Sequence, residues 1–188
     1  ALYDAKAAGR GRCELDGDGG SALAGDLAAA LAAGDVQVHL QPIADTTDGT
    51  VVGVEALARW THPERGPVSP AVFIPLAEES GFIVAIGAWV LSTACHEAAS
   101  WPEPHKIAVN VSGLQLAQLE LVDMVKHVLD QTGLAPERLE LEVTETAIIA
   151  DRKRALVVLN DIKALGVCIA IDDFGTGYSS LDTLRSFP

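Results

Sequence analysis

Short β-branched runs alternate with longer helical stretches along most of this chain, and that alternation limits its fold more than any other feature. VQVHLQP (36–42) and VVGVEAL (51–57) come first, then KIAVNVS (106–112), RLELEVTE (138–145) and GVCIAIDDFG (166–175). Helical stretches are predicted through about Trp101, near 114–132 and near 151–165. Strand, helix and strand in turn argue for a parallel sheet with crossover helices, an α/β fold. TTDG (46–49) joins the first two runs closely enough for a hairpin, so that pair is expected to be antiparallel. The segment carrying Pro63, Pro67 and Pro70 reads as a long loop.

Side chains alternate across a strand, so parity assigns the faces. Val52 and Val54 share one face, as do Ile107 with Val109, Leu139 with Leu141 and Val143, and Val167 with Ile169 and Ile171. The other face is small or polar: Gly53 and Glu55, Ala108 and Asn110, Glu140 and Glu142, then Cys168, Ala170 and Asp172. Branched aliphatics suit packing beneath helices, whereas the polar face ends each strand in an oxygen-bearing side chain. This is the pattern of a partial TIM-like (β/α) barrel, truncated after about five strands, with its functional groups at strand C-termini. Glu55, Asn110, Glu142 and Asp172 are expected to converge at one mouth.

Three carboxylates gathered in a partly dry site raise one another's pKa unless a cation compensates. No lysine or histidine stands at those strand tips, so a divalent ion is the expected partner. All-oxygen ligation favours Mg²⁺ or Mn²⁺ over Zn²⁺. Asp173, beside Asp172, points differently and is expected to reach a second ion, as in two-metal phosphoryl chemistry.

Charge narrows the partners. With 13 Lys and Arg against 26 Asp and Glu, the formal charge is −13, which repels nucleic-acid backbones and anionic lipid headgroups. No binding of polymeric nucleic acid and no membrane contact are expected from this stretch; the longest mostly apolar run, Phe82 to Cys95, has 14 residues, too few to cross a bilayer. Cys13, Cys95 and Cys168 form no CxxC pair and fit free thiols in a reducing, cytoplasmic setting.

QPI (41–43), EALARW (55–60), NVSGLQL (110–116), LELEVTET (139–146) and DDFGTGYSSL (172–181) resemble, in order and spacing, the successive motifs of EAL-domain cyclic di-GMP phosphodiesterases. The resemblance covers about residues 35–188. It implies metal-dependent hydrolysis of cyclic di-GMP to linear pGpG in bacterial signalling, with Mg²⁺ or Mn²⁺ in a two-metal site and inhibition by Ca²⁺. Glu55, Asn110, Glu142, Asp172 and Asp173 match the family's metal ligands, and Glu55, Asp172 and Asp173 its catalytic positions. Arg59 matches an arginine that contacts a substrate phosphate, and Gln41 a glutamine lining the nucleotide pocket. Glu145 matches the glutamate that anchors the loop opening at Asp172, which links the site to a homodimer contact.

ALYDAKAAGRGR resembles the last helix and tail of a GGDEF diguanylate cyclase domain. The implied organisation is a GGDEF remnant at 1–15, a linker at 16–20 and an EAL domain at 21–188, whose first helix runs from Ser21 as N-cap to Gly34. Family barrels carry a lysine, a further glutamate and a glutamine on later strands, so the sequence reads as an excerpt, weakly active or inactive alone. The alternative reading is a nonhydrolysing module that binds cyclic di-GMP or another protein.

Overall fold

The computed structural model describes residues 17–172. Residues 1–15, Asp16, Asp173 and the glycine-bearing loop beyond it lie outside the described residues.

Helix α1 (Gly17–Ala33) starts within the stretch expected to be a linker, since Gly17 to Gly20 are already helical. It ends where Gly34 takes a φ of 82°, the left-handed stop that glycine adopts without steric cost. Strands β1 (Val36–Ala44) and β2 (Val51–His62) pair antiparallel, as the short TTDG connection requires. A short strand β3 (Gly66–Val68) returns along β2 and is missing from the sequence reading. Pro67 argued against a strand there, but among the described residues β3 pairs only with β2, and a sheet edge tolerates proline.

Two helices follow, α2 (Pro70–Glu79), capped by the Ser69 hydroxyl, and α3 (Ile83–Ala99). Three parallel strands then join the far side of β2 in the order β1-β2-β4-β5-β6: β4 (Lys106–Val111), β5 (Leu139–Thr144) and β6 (Cys168–Asp172). The fold is therefore α/β with a mixed, mainly parallel sheet, and the sheet of the described residues does not close into a barrel.

The helix expected over 114–132 is divided into α4 (Gly113–Leu116) and α5 (Glu120–Thr132). Leu116 and Leu121 are both buried in the core. Five residues apart on one continuous helix they would point about 140° away from each other, at about 3.6 residues per turn, so the break lets both face inward. A short helix α6 (Glu145–Ala150) precedes α7 (Arg152–Ala164), because the Thr144 hydroxyl caps a new helix at the very end of β5.

The core lies between the sheet and its helices. Ile107, Val109, Leu139, Leu141 and Val143 are buried against the helical layer, while Asn110, Glu140 and Glu142 face away from it, as parity required. Among the described residues Cys95 and Cys168 are free thiols, and no helix is long and apolar enough to cross a membrane.

Candidate functional site

Strand register puts the expected residues on one face. Glu55 pairs with Ala108, Asn110 pairs with Glu142, and Glu142 pairs with Ala170, two residues before Asp172. The Asn110 amide Nδ2 donates to Glu55 Oε1 at 2.8 Å, tying the C-terminal end of β4 to β2. That bond uses the amide nitrogen and leaves the amide oxygen available to a cation. Gln41 stands directly across β1 from Glu55. Arg59 lies four residues beyond Glu55 on the same face of β2 and donates from Nη1 to the Ala58 carbonyl at 2.9 Å.

Glu142 reports the electrostatics of this face. Burial first, then the negative charges of Glu55, Asp172 and Glu140, push its carboxyl from an ordinary 4.5 up to about 7. Lys106 shares the face but stands at the opposite, N-terminal end of β4. Its Nζ lies 3.3 Å from Glu140 Oε2 and 3.3 Å from Cys168 Sγ. Lys106 is therefore engaged away from the strand tips. Among the described residues no three His, Cys, Asp or Glu side chains are already gathered within reach of one metal ion.

A protonated carboxyl that the unfolded chain ionises at lower pH has a thermodynamic signature. Between pH 4.5 and about 7 the folded protein holds a proton on Glu142 that the unfolded chain has released. That contribution to stability is whole below 4.5 and is lost as the pH rises through about 7. In chelator, the melting temperature of the full-length protein is expected to fall by a few degrees over this range, and Glu142→Gln to flatten the fall. A slope unchanged by the substitution would show that another group carries it.

Glu145 is not on the sheet face. It opens α6 with 3% of its surface exposed, behind the Thr144 cap.

Gln115, which the sequence reading passed over, supports the site from below. It is 4% exposed, and its Oε1 accepts the Ser112 backbone N–H at 3.1 Å while Ser112 Oγ accepts the Gln115 N–H at 3.4 Å. This reciprocal capping box fixes the chain two residues beyond Asn110, and the S-x-x-Q spacing was its available signal. Gly87 of α3 makes room for it: a Cβ there would come within 2.2 Å of Gln115 Nε2.

β2 stays beside β4 only from Gly53 to Ala56, and by Trp60 it pairs with β3. The divergence opens a groove of about 320 Å³ lined by Arg59, Asn110, Ser112 and Thr144, with α2 and α3 forming its far walls.

Residues 24–188 match the model of the EAL domain. The chain belongs to the EAL domain family. A relative from Caulobacter vibrioides, named an uncharacterized signaling protein, is 52% identical over 195 residues, covering 100% of this chain and 24% of its own length. The bifunctional diguanylate cyclase/cyclic di-GMP phosphodiesterase MucR of Pseudomonas aeruginosa is 43% identical over 199 residues, covering 100% of this chain and 29% of its own. Against the solved PaMucR phosphodiesterase in complex with c-di-GMP, this EAL domain superposes with a TM-score of 0.83 at 46% identity, covering 88% of this chain and 69% of the other. The chain thus spans less than a third of either relative's length.

Proposed function

We propose that this EAL domain serves in hydrolysis of cyclic di-GMP to the linear dinucleotide pGpG, using Mg²⁺ or Mn²⁺ held by Glu55, Asn110, Glu142, Asp172 and Asp173. One observation carries the reading: oxygen donors from four strands share a face, where burial first and then the neighbouring negative charges raise Glu142 to about 7. The donor set, carboxylates and one amide oxygen without sulfur or imidazole, fits a hard divalent ion. When bound, such ions supply an activated water and neutralise charge on the phosphodiester.

The side chains themselves position. Asn110 holds Glu55 by its amide, so the carboxylate keeps a defined orientation. Arg59, on the same face, is the residue proposed to meet a substrate phosphate with charge-assisted hydrogen bonds. Arg59→Ala is expected to raise the KM for cyclic di-GMP about tenfold or more, since a hydrogen bond to a charged group contributes about 1.5–3 kcal/mol. Arg59→Lys should recover only part, because a point charge does not reproduce the guanidinium fork. Equal KM values in all three proteins would remove Arg59 from phosphate binding.

Ca²⁺ is expected to inhibit, its longer and looser coordination misplacing the reacting groups. A second reading is a module that binds cyclic di-GMP or another protein without hydrolysis. Steady-state hydrolysis by the full-length protein with Mn²⁺, with and without chelator, decides between them: turnover abolished by chelator supports the enzyme, and binding without turnover supports the receptor. A homodimer through the EAL domain and a cytoplasmic setting belong to the same proposal, testable by sedimentation and by fractionation.

A further inference from the structure

We propose that Glu78 reads the guanine edge of the ligand, an assignment that rests on the cyclic di-GMP reading above. The groove between β2 and β4 carries two charged side chains from different elements, Arg59 of β2 and Glu78 of α2, with Asn110 at the end nearest the site. Among the described residues neither Arg59 nor Glu78 forms an ion pair. Much of the remaining lining is aliphatic, including Leu57, Ile74 and Ile83, which suits a flat base held on its faces. At about 320 Å³ the groove is in the range of small-ligand pockets.

Helix stability does not account for this carboxylate. Glu78 sits in the last turn of α2, where the helix dipole disfavours negative charge, and it is partly buried beside apolar surface. A partner with two parallel N–H donors would satisfy both oxygens. Guanine offers that pair in N1–H and the 2-amino group, and an ionised carboxylate is an acceptor at both oxygens. Adenine offers one donor and one acceptor on the matching edge and leaves one oxygen opposed. A ligand phosphate at Arg59 and Asn110 thus directs one base toward Glu78.

The test is calorimetric titration of the full-length protein with cyclic di-GMP, cyclic di-AMP and cyclic di-IMP, whose base lacks the 2-amino group. The wild type is expected to bind cyclic di-GMP roughly tenfold to a hundredfold more tightly than either analogue, the discrimination that one good bidentate contact gives. In Glu78→Gln the gap to cyclic di-IMP should close to within about twofold and the affinity for cyclic di-AMP should rise, a gain that misfolding cannot produce. Glu78→Asp, which keeps the carboxylate, should preserve the wild-type order. Unchanged selectivity in Glu78→Gln, or loss of all binding in both variants, overturns the assignment. A wild type that binds none of the three overturns the cyclic di-GMP reading and this inference with it, whereas binding without turnover removes only hydrolysis.

Discussion

Replacing Glu55 by alanine is expected to lower cyclic di-GMP hydrolysis by the full-length protein about a thousandfold while leaving the fold intact. Glu55 is partly exposed on the polar face of β2, so its removal opens no core cavity; what it removes is a carboxylate bonded to Asn110 at 2.8 Å and close enough to Glu142 to raise that group's pKa. A metal site contributes several kcal/mol of charge stabilisation in phosphoryl chemistry, and each 1.36 kcal/mol is about tenfold in rate. Two readouts should move together. Mn²⁺ affinity should fall, and the Glu142 carboxyl, relieved of one neighbouring charge, should titrate lower. A Glu55→Ala protein that turns over within a factor of ten of wild type would refute the proposed site.

Gly87→Ala is expected to destabilise the protein by roughly 2–4 kcal/mol although it adds a single methyl group. The new Cβ would lie 2.2 Å from Gln115 Nε2, 2.7 Å from Cδ and 2.8 Å from Oε1. A flexible side chain would turn away cheaply, but Gln115 is buried and its Oε1 is held by the Ser112 N–H. Overpacking costs about 1–3 kcal/mol and loss of the capping interaction about 1 more. At about 2–4 °C per kcal/mol for a domain of this size, the melting temperature should drop by roughly 5–15 °C. Gln115→Ala should relieve much of that drop in the double variant, because it removes the atoms that collide. A Gly87→Ala melting temperature within a degree of wild type would show that Gln115 is not fixed.

These two residues mark how far the sequence could be read. Glu55 was legible because strand alternation is a strict period of two, and one buried aliphatic face assigns its neighbours to the other. The same rule placed Asn110, Glu142 and Asp172, and the short turn gave the antiparallel hairpin. Gly87 was visible only as an interruption in an apolar run; what it accommodates comes from a helix that starts 26 residues later and cannot be inferred from local pattern. Gln115 had a local signature in its capping box, but a glutamine beside two leucines reads first as a helix surface. Glu78 carried no signal, since its meaning depends on β2 turning away from β4, a departure set by the pairing of Trp60 with Val68 in β3. β3 was itself hidden behind Pro67. The division between α4 and α5 follows from burying Leu116 and Leu121 together, a demand made by tertiary packing.

Strand β2 is longer than its part in the site requires. Seven residues past Glu55, about 23 Å along an extended chain, His62 accepts two backbone N–H bonds from Glu64 and Arg65 at Nδ1 and presents Nε2 to Asp26 of α1 at 3.3 Å. Between Glu55 and His62, Trp60 is wedged edge-on against Phe73. A single ladder-bonded strand therefore carries Glu55 of the candidate site along its length and is clasped at its C-terminal end to the first helix. Tilting that helix would carry through the strand to the level of Glu55 as a seesaw does.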